Sequence, residues 1–360
     1  MKNLKGILAV GSAAVLAVTL AACSSSGSST EEAASPEAAA AGAECPLGEP
    51  DESITTTARI AYQKIANGDL IVKDMGILEA CMPNAEISWN VFSSGGDVLQ
   101  AYGAGAVDMG LTGSNPAVKA LSAPLNTTLP PIENVWIHDV IGKGESLIVK
   151  PEITSAADLK GKKIATPFGS TAHYSLMNWL DQSGLTSADV ELVNLEPEKM
   201  IAAWPDLAGV WVWDPSLSEI VAAGGVPLAS SEDTAKAGKP TFDLGNVVSE
   251  FADANAPFME MWAKAQNYAV EMILNDPSAA AESISAELAV PPADVEKMFA
   301  GYTYLTAADQ ASADWLGGKL GVDFEDTANF LLEQGGIDAV SPAEAYVNGV
   351  NPAYAQAASQ

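Results

Sequence analysis

Apolar residues along the chain alternate between strand-like runs and helix-like spacing, with Ser/Gly-rich turns at many of the changes. Residues 54–60 start a strand, 71–79 suit a helix, 87–92 form a second strand, 97–102 a helix entered through Ser94-Gly95-Gly96, and 107–111 a third strand. A second block opens with a strand over 146–149, after Gly142-Lys143-Gly144, and continues through 164–165, 190–193 and 210–212. After Pro240 the periodicity turns chiefly helical, over 258–274, 279–288, 292–299, 307–320 and 327–334. Such alternation predicts an α/β chain: parallel sheets covered by helices, with ligands outside the carboxyl ends of strands, where the Ser/Gly-rich turns fall. Two blocks with dispersed Trp, Phe and Tyr over roughly 310 residues predict two lobes rather than one.

The first residues read differently. Lys2 and Lys5, an apolar run over 7–18 and then Leu20-Ala21-Ala22-Cys23 follow the order of a secretion signal, here residues 1–22. Leu-Ala-Ala-Cys is similar to a bacterial lipobox, which implies lipid on Cys23 and a tether to the outer face of the cytoplasmic membrane. The other reading, an uncleaved membrane helix, meets an apolar run short for a span and no cationic far flank. Residues 24–42 are mainly Ser, Gly, Ala, Glu and Pro without an aromatic residue, too little apolar surface to fold, so residues 23–50 are expected to be a lipid-anchored linker. With Cys23 lipidated, Cys45 and Cys81 remain as an even pair in an exported domain, where a disulfide persists. Two sulfurs and two distant histidines have poor spacing for zinc, so no metal is expected.

The full chain carries a formal charge of −29, which loss of Lys2 and Lys5 with the signal makes −31. Nucleic acid is thereby a poor partner, since phosphate backbones attract basic faces. The same field repels a small anion but is nearly indifferent to a zwitterion, although screening leaves local groups to decide. Solubility in a saline or anionic wall environment accounts for the charge equally well. His138 and His173 are the only histidines, and no Ser/His/Asp or Cys/His pattern is visible.

The run Lys160-Gly161-Lys162-Lys163-Ile164-Ala165-Thr166-Pro167-Phe168-Gly169-Ser170-Thr171-Ala172-His173-Tyr174-Ser175-Leu176 carries the most chemistry. Ile164 to Thr166 suit a buried strand, Pro167 and Gly169 turn the chain, and Ser170 can cap a helix that turns Leu176, Trp179 and Leu180 inward before Gly184. Free N–H groups and the positive end of the helix dipole then sit beside two hydroxyls, a place where a phosphate, sulfate, sulfonate or carboxylate can settle. The same residues also read as an ordinary capped helix.

This run resembles the signature region of the taurine and aliphatic-sulfonate binding proteins of ABC importers: a lysine-led strand, a Pro-Phe turn, Ser-Thr, then His-Tyr-Ser-Leu. Further segments are similar to the taurine-binding branch in the same order. They are Ala61-Tyr62-Gln63, Phe92-Ser93-Ser94-Gly95, Gly113-Ser114-Asn115-Pro116, Glu145-Ser146-Leu147-Ile148-Val149-Lys150, Val193-Asn194-Leu195, Ala202-Ala203-Trp204, Val212-Trp213, Pro240-Thr241-Phe242-Asp243 and Tyr302-Thr303-Tyr304-Leu305-Thr306. The resemblance covers roughly residues 56–340. It implies a type II periplasmic binding protein fold, two doubly wound lobes with a ligand cleft between them, lobe I being 51–143 and 243–360 and lobe II 144–242. It also implies an extracytoplasmic receptor that delivers taurine to a permease with a cytoplasmic ATPase, without cofactor or catalysis of its own.

A zwitterion with a sulfonate and an ammonium needs both ends satisfied in a dry cleft. For the sulfonate, Ser94 and Gly95, Ser114 and Asn115, and Ser170 and Thr171 stand at strand-to-helix turns, and Gln63 lies in a matching segment. Arg59 is the only arginine, so neutral donors must replace a guanidinium clamp. For the ammonium, Glu145 and Asp243 correspond to acidic positions of the taurine branch, and Asp214 is a third choice. Tyr62, Phe92, His173 and Trp213 are candidate aromatic walls, while Trp204 is assigned to the core. Three departures bear on pocket size: a Trp204-to-Trp213 hairpin about two residues shorter than the family's, Leu244-Gly245-Asn246 where an aromatic residue is common, and Asp214 in place of a small apolar residue. Alternatives are a receptor for alkanesulfonates or another small anion, and a thiamine-pyrimidine-synthase-like enzyme using His173.

Overall fold

The computed structural model describes residues 44–360, so the signal expected over residues 1–22, Cys23 and most of the expected linker lie outside the described residues. In chain order the strands are β1 (Thr57–Tyr62), β2 (Glu86–Val91), β3 (Met109–Gly113), β4 (Ile132–Ile141), β5 (Glu145–Val149), β6 (Lys163–Thr166), β7 (Glu191–Asn194), β8 (Gly209–Trp213), β9 (Val226–Ser230), β10 (Phe242–Val248) and β11 (Tyr302–Thr303). One sheet has the order β11-β4-β10-β3-β1-β2 and the other β7-β6-β8-β5-β9. β1 runs parallel to β2 and β3, and β6 parallel to β7 and β8, as strand–helix–strand units require. β10 is antiparallel to both β3 and β4, and β5 to both β8 and β9, so each sheet is mixed.

Burial explains which sequence signals were plain. β3, β5 and most of β8 are buried on both faces and read as short apolar runs, whereas edge strand β2 alternates and leaves Val91 exposed. The first sheet packs on a core that includes Leu70, Ile71, Trp136, Phe258 and Trp262, the two indoles meeting edge to face at 6.1 Å. The second has its own core around Leu147, Leu176, Leu180 and Trp211. Trp213 and Phe330 pack against both cores and join the lobes.

Several boundaries differ from expectation. The helix expected over 71–79 is two, Gly68–Asp74 and Ile77–Cys81, because Gly76 adopts a left-handed φ of 60° between them. The helix expected over 307–320 is only Ala307–Gln310; a turn ending in Gly317-Gly318 follows, and Lys319–Glu333 absorbs the stretch expected to start at 327. Strands β4, β9, β10 and β11 were not anticipated. In β4 the buried polar residues Asn134, His138 and Asp139 break the apolar pattern, and register shifts against β10 leave His138 as an extra residue between the pairs Asp139↔Asp243 and Ile137↔Leu244.

The chain leaves the first sheet after β4, builds β5 to β9 in the second, and returns with β10. At the outward crossing the Gly142 and Gly144 amides both donate to the Gly301 carbonyl, at 3.0 and 2.9 Å. Cys45 and Cys81 form a disulfide with Cα atoms 4.7 Å apart, tying the start of the described chain to a fully buried helix end. The bridge closes a sequence separation of 36 residues, for which chain entropy gives about 3–4 kcal/mol. Replacing both cysteines with alanine is expected to lower the urea unfolding midpoint accordingly; an unchanged midpoint would show that the crosslink adds nothing.

Candidate functional site

A cavity of about 20 Å³ lies where the carboxyl ends of strands from both sheets converge. From the first sheet it is lined by Gln63, just past β1, by Gly95, Gly113 and Asp243, and by Tyr302 of β11. From the second come Glu145 at the start of β5, Trp213 opposite it at the end of β8, and Ser170 and Thr171. Gln63 Nε2 donates to the Leu111 carbonyl at 3.1 Å, which anchors its amide.

Two helix N-termini reach this cavity. Gly95 opens Gly95–Gly103 behind Ser94, and Thr171 opens Thr171–Gln182 behind Ser170. Ser170 is a working cap: its Oγ accepts from the His173 N–H at 3.2 Å and donates to the Pro167 carbonyl at 2.6 Å. Gly113 sets how near the lobes come. A Cβ there would stand 2.8 Å from Thr171 Cγ2, and Thr171 has little freedom to turn because its Oγ1 donates to Glu145 at 2.6 Å.

The electrostatics are one-sided. Glu145 is buried and accepts from Thr171, from Ser231 at 2.5 Å and from Ser175 at 3.4 Å. Burial pushes its carboxyl up to about 7, although these hydroxyls hold it down. Asp243 is pushed up to about 8, by burial first and then by the Glu145 charge. Asp139, which was not anticipated, is fully buried with neither carboxylate oxygen hydrogen-bonded, and burial followed by the Asp243 and Glu145 charges holds it well above the usual range. Among the described residues none of these acids has an ion-pair partner; the single guanidinium, Arg59, is bound to Asp108. The arrangement offers neutral N–H and O–H donors beside sealed acid groups, which suits an ion carrying both signs.

Of the residues expected at the site, Gln63, Gly95, Glu145, Ser170, Thr171, Trp213 and Asp243 are brought together. The others lie elsewhere. Ser94 precedes its helix at the mouth of an adjoining groove without a side-chain cap bond, its Oγ donating to the Asp97 carboxylate at 3.2 Å. Ser114 accepts from the Phe242 N–H at 3.4 Å in a small pocket beside Tyr174, and Asn115 is buried with its amide unpaired. His173 stacks on Phe168 at 4.9 Å, accepts from the Gly169 N–H through Nδ1 at 3.2 Å, and is driven down to about 4 by burial. Asp214 accepts from the Ser218 N–H and hydroxyl at 3.1 and 2.6 Å, a capping role beside a groove lined by Asp294 and Lys297. Trp204 is core, with Lys150 Nζ 4.0 Å over its ring.

Comparison with known proteins bears on the family and the fold. The NMT1/THI5-like family matches residues 88–215. The taurine-binding periplasmic protein of Escherichia coli K12 is 37% identical over 297 residues, which span 78% of this chain and 88% of that protein. The chain belongs to this family of taurine- and sulfonate-binding periplasmic proteins. A putative aliphatic sulfonates-binding protein of the same organism is 34% identical over 179 residues, covering 49% of this chain and 54% of its own length. Among solved structures, the alkanesulfonate-binding protein of Xanthomonas axonopodis pv. citri bound to MOPS superposes with a TM-score of 0.65 at 25% identity, over 82% of this chain and 98% of its own. The fold is accordingly the type II periplasmic binding protein fold, and these relatives are binding proteins.

Two outcomes follow from the cavity itself. Glu145 and Asp243 have folded values above their unfolded ones, so their contribution to stability is complete below about pH 4 and is lost as pH rises through about 7 and about 8. The ligand-free protein is expected to melt several degrees lower at pH 8 than at pH 5, and Asp243→Asn to reduce that difference; equal slopes in both proteins would contradict the burial argument. Gly113→Ala should hold Thr171 away from the first lobe and weaken ligand binding about tenfold by calorimetry, the cost of a modest overpacking.

Proposed function

We propose that this chain is the extracytoplasmic receptor of an ABC importer and that its ligand is taurine, captured between the lobes and handed to a permease with a cytoplasmic ATPase. The observation that carries the reading is the group of buried acids without a cation next to neutral donors at two helix N-termini. A sulfonate fits the free backbone N–H groups at the Gly95 and Thr171 helix termini, and an ammonium fits Asp243 with Glu145 beside it. Charge-assisted hydrogen bonds of about 1.5–3 kcal/mol each make four or five of them enough for a micromolar ligand, about −8 kcal/mol after association costs.

The small closed cavity implies that the lobes part to admit and release the ligand, with the two crossovers as hinge. The lobe boundaries proposed are 51–143 with 243–360, and 144–242. Leu20-Ala21-Ala22-Cys23 supports a mature protein lipidated on Cys23 and held at the outer face of the cytoplasmic membrane, with residues 23–50 as its leash. A purely anionic ligand is disfavoured by the acids it would meet. An enzymatic role is disfavoured by the packing of both histidines, His173 against Phe168 and His138 beneath Trp262.

Titration with taurine and with ethanesulfonate, which keeps the anion and lacks the amine, separates the readings. Taurine is expected to bind at least 100-fold more tightly. Asp243→Ala should cost taurine about 3–5 kcal/mol, two or more orders of magnitude, and leave ethanesulfonate nearly unchanged. Similar affinities for both ligands in the unmodified protein would favour a general alkanesulfonate receptor.

A further inference from the structure

β4 carries an acid for which the proposed ammonium site has so far had no use. Asp139 is directly opposite Asp243 in the antiparallel β4–β10 ladder, and directly opposed residues project from the same face of a sheet with Cβ atoms about 5 Å apart. Asp243 lines the cavity, while Asp139 is 0% exposed with both oxygens unpartnered. The bulge at His138 brings about this alignment, since the extra residue shifts the register so that two carboxylates face each other. Like charges directly opposed in a sheet repel, and a buried carboxylate without donors is costly, so the pair needs a proton or a cation.

The surroundings leave few candidates for that neutralising charge. Glu145 is the third acid, and its own hydroxyl donors are already engaged. Tyr302 and Tyr304, on and just past β11, are buried phenols whose values are pushed well above the ordinary, by burial first and then by the surrounding acids, so they remain neutral. Asp214 is occupied in capping Ser218. His138 lies 3.7 Å from Asp69 and edge-on to Trp262 with neither ring nitrogen hydrogen-bonded, and is held below its usual value by burial, so it supplies no positive charge. No lysine or arginine pairs with the three acids among the described residues.

We propose that Asp139 is a second carboxylate behind the amine-binding subsite: in the empty cleft it shares a proton with Asp243, and an arriving ligand ammonium displaces that proton to solvent. Asp139 is here a positioning residue, acting on the ligand through Asp243. The exchange balances, one cationic group entering as one proton leaves, and it makes the receptor selective for ligands that bring a positive charge. Uptake of a zwitterion therefore strengthens with pH, in the direction opposite to the stability of the empty protein. The inference rests on the proposed ammonium site.

Calorimetry of taurine binding to the full folded domain, repeated in buffers of different ionisation enthalpy, counts the protons released. The unmodified protein is expected to release close to one per ligand at pH 6.5, and its Kd to fall about tenfold per pH unit between pH 5.5 and 7. In Asp139→Asn the release should fall and the pH dependence of the Kd should flatten, the remainder belonging to Asp243, which burial and the Glu145 charge still raise, and to Glu145 itself. Taurine binding with no proton release, or with release unchanged in Asp139→Asn, would overturn the proposal. If taurine does not bind at all, the taurine reading fails, and the ligand-free proteins decide the acid pair separately. Asp139→Asn melting higher than the unmodified protein at pH 8 but not at pH 5 supports the shared proton, and the same difference at both pH values overturns it.

Discussion

Negative charge sealed away from water without a resident cation is the constraint around which this molecule is organised. Glu145, Asp243 and Asp139 come from three strands of two sheets; the first two line the cleft and Asp139 is buried opposite Asp243. The chain has an excess of acids, and keeping them in water is the inexpensive arrangement; burying three together is tolerated only where protons or a ligand complete them. Hydroxyls from Thr171, Ser175 and Ser231 support Glu145, while the Asp139–Asp243 pair has no donor. This asymmetry is what the proposed ammonium site rests on.

The acids also stand where the chain crosses between lobes. Glu145 begins β5 immediately after Gly142-Lys143-Gly144, and Asp243 follows Phe242 as β10 returns to the first sheet. Glu145 and the three hydroxyls that support it belong to the segment that carries the second sheet, while Asp243 belongs to the first. Thr171 links the two requirements, since its hydroxyl serves Glu145 while its methyl rests against the face that Gly113 leaves open. Phe330 adds a second tie, meeting Tyr174 edge-on at 4.7 Å across the lobes.

Much of the fold was legible because its strongest signals are local. Buried strands such as β3 and β8 are short apolar runs between turn residues, and Ser170 caps its helix by accepting from the N–H of His173, three residues on. β4 was missed although Val135, Ile137 and Ile141 share a period of two, because the polar residues His138 and Asp139 sit where a core strand usually carries apolar ones. The strand that departs from the pattern is the one holding the unforeseen acid. Asp214 and His173 illustrate the converse: each stands beside a motif of the right kind, yet capping and ring stacking use up their polar atoms.

Residue type and near neighbours along the chain were enough for the alternation of strands and helices, the paired cysteines and the helix start at Ser170, whereas Glu145 and Asp243 stood out as cation partners through resemblance to the taurine-binding branch. Which of those groups line one cavity was settled by the assembled sheets, which place Glu145 and Asp243 there, Asp139 buried opposite Asp243, and Asp214 outside. The register of β4 against β10 and the approach of Gly113 to Thr171 arise from packing between segments more than 50 residues apart. Such pairing leaves no periodic trace in either segment, because burial, and with it the proton affinity of an acid, belongs to the assembled sheets rather than to the chain.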